Sequence, residues 1–184
     1  MSAVAVIFFS NEGATAKLAG SVCEGVASVA DVDPLKVRIE GSQIANGRYS
    51  NDESFNLIDA CDAIVFGSPT YMGGPAAQFK AFADASSDRW EQQRWSGKLS
   101  AGFTCGSSPN GDQMATLQYF SILAAQHGML WVNLEVLGNE ASGTNTLGTQ
   151  LGVTALAREA GEPSDLPTAF YLGERVARLT TKYR

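Results

Sequence analysis

Val4-Ala5-Val6-Ile7-Phe8-Phe9-Ser10-Asn11-Glu12-Gly13-Ala14-Thr15 is an apolar run that breaks abruptly into small, hydroxylated and glycine residues. An amphipathic segment follows, with Leu18, Val22, Val26 and Val29 at spacings of four, four and three residues, the signature of a helix with one face on a core. The pattern predicts a buried strand that passes through a short polar loop into a helix start. At such a junction successive N–H groups and hydroxyls converge, and the positive end of the helix dipole favours a phosphate. The alternative is an ordinary strand-to-helix turn in which Ser10 and Thr15 only cap the helix.

Outward from this stretch, short apolar runs alternate with helical patterns, the rhythm of parallel strands joined by crossover helices. Four runs read clearly as strands, Val4 to Phe9, Ala63 to Gly67, Leu99 to Thr104 and Met129 to Val136, and a weaker one lies within Asp33 to Ile39. Helical stripes are Ala76, Phe79, Phe82 and Ala83, then Met114, Leu117, Phe120 and Ala124, then Ala169, Leu172, Val176 and Leu179. Pro75 suits a first-turn position, where a missing N–H costs nothing. Two polar segments, Gly41 to Asn56 and Gly138 to Thr149, are expected at a subunit or ligand surface.

At 184 residues, with 45% hydrophobic and 17% charged side chains, the chain has the composition of one globular domain spanning residues 1–184, and too little charge for disorder. A net charge of −6 argues against nucleic-acid binding, which needs a basic face. Cys23, Cys61 and Cys105 are widely spaced, so neither a disulfide framework nor a metal site is expected. No run approaches the roughly 20 apolar residues of a membrane span, and the start carries no secretory pattern, so a cytoplasmic protein without membrane insertion is expected.

In an open parallel sheet, ligands gather outside the carboxyl ends of the strands where strand order reverses. Three strand ends carry loops of one chemical kind: Ser10 to Thr15, Gly67 to Gly74 and Thr104 to Gln113. Small residues let the backbone approach a flat or charged ligand, and hydroxyls supply donors without charge. The first loop lacks both the GxGxxG spacing and the lysine of GxxxxGK[ST], which leaves a monophosphate as its ligand. The other two would flank a planar ring.

This arrangement resembles the flavodoxin-like FMN proteins, and in detail it is similar to the WrbA-type NAD(P)H:quinone oxidoreductases. The likeness runs over nearly the whole chain, through Val4 to Leu18, Gly67 to Gly73, Phe82 to Phe103 with Trp90 and Gly97-Lys98-Leu99, and Leu123 to Met129. It implies an α/β, doubly wound, five-stranded parallel sheet of order 2-1-3-4-5. It further implies that Ser10, Asn11, Glu12, Gly13, Ala14 and Thr15 hold the FMN phosphate. Pro69, Thr70, Tyr71, Met72 and Gly73 would line one edge of the ring, and Thr104, Cys105, Gly106, Ser107, Ser108, Asn110 and Gly111 its pyrimidine end. His127 would stand beside the flavin as a donor to a quinone, and Trp90 would reach the substrate pocket of a neighbouring subunit in a homodimer or homotetramer. NADH or NADPH would be the electron donor.

The chain also departs from that family. Glu12 stands where an aromatic is common, Tyr71 where an arginine is frequent, and loop three carries Ser107-Ser108-Pro109-Asn110 in place of a glycine-rich run. Several of these residues have plainer alternatives: His127 as a helix end, Trp90 and Trp95 as a packed pair, Cys105 as a small core residue, Asp112 and Gln113 as helix caps. Two other functions compete, an electron-carrying flavodoxin that docks through an acidic rim and a non-catalytic FMN binder. Against the carrier, loop three has no aromatic to cover a flavin.

Overall fold

Strand β1 (Ser2–Phe8) runs parallel to β5 (Ala63–Tyr71), with Val4 opposite Ala63 and Phe8 opposite Gly67. Both strands are buried on both faces, so they read in sequence as unbroken apolar runs. The computed structural model describes residues 1–138, 143–157 and 161–183. After β1 the chain forms α1 (Ala14–Ala27) and β2 (Val32–Arg38), a strand one residue longer at its start than the weak run predicted. The polar segment from Gly41 holds a 3-10 turn, a hairpin of β3 (Ile44–Ala45) and β4 (Arg48–Tyr49), and the start of α2 (Asp52–Asp59). Asn46 and Gly47 both have positive φ, 52° and 76°, as a tight hairpin turn demands. Asn51 Oδ1 caps α2 by accepting from the Ser54 N–H at 3.0 Å.

Beyond β5 come β6 (Gly74–Pro75), α3 (Ala77–Ala85), α4 (Ser87–Glu91), β7 (Leu99–Gly106), α5 (Gln113–Gln126), β8 (Leu130–Trp131), β9 (Val153–Leu156) and α6 (Leu166–Lys182). Pro75 is not in the first turn of α3: it pairs with Thr70 in β6, and the helix starts two residues later, where Ser68 Oγ accepts from the Ala76 N–H at 2.9 Å. The main sheet runs β2-β1-β5-β7 with its fifth place shared by β8 and β9, both parallel to β7. That is the expected order 2-1-3-4-5 with a divided last strand. The run Met129 to Val136 pairs only at Leu130–Trp131. Arg175 then engages the Asn133 carbonyl and the Glu135 carboxylate, and the upper half of the edge is filled by β9 after a long excursion. Part of that excursion, residues 139–142 of the expected Gly138–Thr149 surface loop, lies outside the described residues. Its described part is tied to Asp165, whose carboxylate accepts from Thr146 and Thr168.

One face of the sheet packs on α1 and α6, the other on α2, α3 and α5. The two helices of the first face meet through glycines. A Cβ on Gly25 would lie 1.9 Å from the Phe170 carbonyl oxygen, and one on Gly173 2.0 Å from that of Val22. On the second face the core is aromatic, with Phe55, Phe79, Phe82, Trp95 and Phe120 in stacked and tilted contacts. Trp95 is fully buried and donates Nε1–H to Asp59 Oδ1 at 2.7 Å.

His127 packs against this core, away from loop three of its own chain. It caps the far end of α5, and the 14 residues of that helix separate it from loop three by about 20 Å. Its ring lies 4.3 Å from that of Trp95. Ser86 Oγ donates to the Ala83 carbonyl, so at 2.9 Å it accepts from His127 Nε2–H, and Nδ1 is buried without a described partner. Burial holds the ring neutral and pushes its pKa down to about 4.

Two outcomes test this packing. Gly173→Ala forces the two helices apart, at a cost of about 1–3 kcal/mol; its urea midpoint should fall with an unchanged m-value. The unfolded His127 ring titrates near 6.5 and the folded one near 4, so between these values the unfolded chain binds the extra proton and stability falls as pH falls. Unfolding midpoints from pH 7 to 4 should therefore drop more steeply in the native protein than in His127→Gln.

Candidate functional site

From β1 the chain moves to β2 on one side, then crosses to β5 on the other, so strand order reverses between β1 and β5. The crevice at this switch point, outside the carboxyl ends, is where an open α/β sheet takes its ligand. A cavity of about 220 Å³ opens there. Loop one contributes Ser10, Asn11, Glu12, Ala14 and Thr15 to its wall, loop two Pro69, Thr70 and Tyr71, loop three Cys105, Gly106 and Ser107, and Ala157 beyond β9 closes it.

Loop one is shaped for an anion. Gly13, at φ 101°, turns the chain into α1 and offers no side chain as a cap. Ser10 Oγ accepts from the Ala16 N–H at 3.2 Å, which leaves its own proton to donate. The earlier first-turn N–H groups have no partner within the helix. Thr15 Oγ1 lies 3.3 Å from Cys105 Sγ, linking loops one and three. Burial pushes the Cys105 thiol up, so it stays protonated.

Loop two is held from behind by buried hydroxyls. Thr104 Oγ1 donates to the Ser68 carbonyl at 2.7 Å, and Thr70 Oγ1 lies 2.8 Å from Thr104 Oγ1 and 2.7 Å from Thr116 Oγ1. Tyr71, 45% exposed, stands at the mouth. Partial burial, followed by the charge of Glu12, raises its pKa, so the hydroxyl keeps its proton. Gln113 is buried and does more than begin α5. Its side chain donates to the Ser108 carbonyl at 3.2 Å and accepts from the Ala155 N–H at 3.1 Å, fastening loop three to β9.

Not every expected residue reaches the wall. Thr104 lies behind it, Gly13 shapes the turn, and Met72, Gly73, Ser108, Asn110 and Gly111 sit on the outer parts of loops two and three. Neither His127 nor Trp90 comes near: Trp90, on α4 and 47% exposed, lies at the amino end of the sheet. A larger cavity, about 590 Å³, opens at that amino end between Cys61, Lys98 and Tyr183, away from the switch point. Among the described residues no group of His, Cys, Asp and Glu is arranged to hold a metal.

The wall suits a flavin mononucleotide. Its donors are neutral hydroxyls and amides, a helix N-terminus faces the phosphate end, and the tyrosine stands where a flat ring would pass. Arg38, which the sequence did not single out, donates from Nη2 to the Ser10 carbonyl at 3.0 Å, beneath the same loop.

Comparison with known proteins agrees with this geometry. The family model described as NADPH-dependent FMN reductase matches residues 4–143. A flavodoxin, FldP, from Pseudomonas aeruginosa is 34% identical over 97% of each chain. An NAD(P)H dehydrogenase (quinone) from Chromohalobacter salexigens is 32% identical over 99% of this chain and 98% of its own. The crystal structure of a flavodoxin, WrbA-like protein from Agrobacterium tumefaciens superposes over the whole of both chains with a TM-score of 0.77 and 37% identity. With β1 from Val4 onward, β2, β5, β7 and the three loops of the switch-point crevice inside the matched residues, this chain belongs to the NADPH-dependent FMN reductase family.

Proposed function

We propose that this protein is an FMN-dependent oxidoreductase that takes two electrons from NADH or NADPH and delivers them to a quinone. The observation that carries this is the convergence of three loops of neutral donors on one crevice whose mouth is open beside Tyr71. Relatives named NAD(P)H dehydrogenase (quinone) that align along nearly the whole chain support the quinone as acceptor.

Ser10, Thr15 and the N–H groups of Asn11 to Thr15 would hold the phosphate, while Pro69, Thr70, Tyr71 and Cys105 to Ser107 bound the ring. Bound FMN supplies the hydride and electron chemistry that no side chain here can perform. Buried Thr70, Thr104 and Thr116 fix the position of loop two. Tyr71, holding its proton on Oη, offers a neutral donor and an aromatic face at the mouth. N–H donors of loop three would stabilise negative charge at the pyrimidine end of the ring. His127, neutral and enclosed in its own chain, has no part in proton transfer at this crevice.

A homodimer or homotetramer would complete the pocket, with Trp90 of one copy facing the crevice of another. Two features support it: Trp90 is exposed at the end of the sheet opposite its own crevice, and α5 carries no charged residue yet turns Met114 and Ile122 outward at 43% and 60% exposure. Exposed large apolar side chains on an uncharged helix suit a contact with another copy. No described helix is long and apolar enough to cross a membrane, and we place the protein in the cytoplasm as a partner of small quinones rather than of nucleic acid.

An electron carrier is the alternative, favoured by the relative named flavodoxin FldP. Anaerobic stopped-flow mixing separates the two. Direct bleaching of the flavin band by NADH or NADPH, and its return with benzoquinone, is expected; flavin that stays oxidised without a separate reductase makes the protein a carrier. Trp90→Ala should lower quinone turnover about tenfold while FMN affinity stays unchanged. Equal loss of both would show that Trp90 acts on folding instead.

A further inference from the structure

Resting on the FMN reading, we infer that Arg38 is a positioning residue for the phosphate, acting through the Ser10–Asn11 peptide. The wall of the crevice contains no lysine, arginine or histidine among the described residues, and its one charged side chain, Glu12, is acidic. A dianionic phosphate placed there would depend on dipoles alone unless positive charge reached it from outside.

Two cations flank loop one. Lys17 is engaged by the Glu162 carboxylate. Arg38, the last residue of β2, stands opposite Phe8 in the register of the two strands, and its Nη2–H donates to the Ser10 carbonyl at 3.0 Å. The peptide joining Ser10 to Asn11 is trans, and in a planar trans amide the N–H points opposite the carbonyl. Because β2 flanks β1 on the side away from β5, a carbonyl drawn towards Arg38 turns the Asn11 N–H towards the crevice, where Asn11 forms part of the wall.

A charged donor on the carbonyl also polarises the amide and strengthens the N–H on its other side. Arg38 therefore orients one phosphate donor and lends it charge without touching the ligand. Glu40, whose Oε1 is 3.2 Å from Arg38 Nε, holds the far side of the guanidinium and tempers its charge. The guanidinium is half-exposed, so the contribution is screened by salt and replaceable without opening the core.

The test is titration of flavin-depleted protein with FMN and with riboflavin, which lacks the phosphate, followed by quenching of flavin fluorescence. Arg38→Gln should weaken FMN about tenfold, the scale of one charge-assisted hydrogen bond, and leave riboflavin unchanged. Arg38→Lys should restore part of the loss, Glu40→Gln should bind FMN at least as tightly as the native chain, and the Arg38→Gln defect should shrink in high salt. Equal weakening of both flavins, or no change for FMN, overturns the role of Arg38 while the FMN reading stands. Native protein that binds neither flavin overturns both.

Discussion

A parallel sheet covered by helices on both faces can bury its backbone polar groups only by pairing them within the sheet, and the ladder ends where the strands end. In this protein β1, β5 and β7 are buried along nearly their full length, so the carboxyl rim is where donors are left over. The crevice lies along that rim. Ser10, Thr70 and Cys105 are neighbours because β1, β5 and β7 are, with Phe8 beside Gly67 and Pro69 beside Cys105.

The two ends of the sheet have been given opposite chemistry. At the carboxyl rim, small residues and hydroxyls keep the crevice open, and Gln113, Thr104 and Thr116 lock its walls from behind. Towards the amino end, Phe55, Phe82 and Trp95 stack together on one face of the sheet. Asp59 takes the Trp95 N–H and lies within ion-pair distance of Arg94 and Arg89, while Lys98 donates to the Asp59 and Cys61 carbonyls. Trp90 projects from this end into solvent.

Charge around the crevice is arranged by subtraction as much as by addition. Lys17 is drawn off by Glu162, Arg38 is shared between Ser10 and Glu40, and Glu12 remains at the mouth beside Tyr71. A phosphate held there by dipoles and one indirect cation would be bound without a bare positive charge next to the ring.

Local chemistry was enough to read the fold class, the strands of the sheet centre and the three loops that meet at the crevice, because a strand that ends in small, hydroxylated residues before a helix is recognised from adjacent residues alone. What the sequence could not show depended on partners distant along the chain. The last strand divides, with Arg175 on α6 engaging Asn133 and Glu135 while Val153–Leu156 takes the upper edge of β7. Arg38 and Gln113 enter the site only through contacts made across 28 and 42 residues. His127 carried a family expectation, yet it caps a helix whose length takes it away from its own rim and into contact with Trp95 and Ser86. Residue chemistry is local and could be read in order, whereas which end of the sheet a side chain reaches is set by helix length and crossover, and that only the folded chain decides.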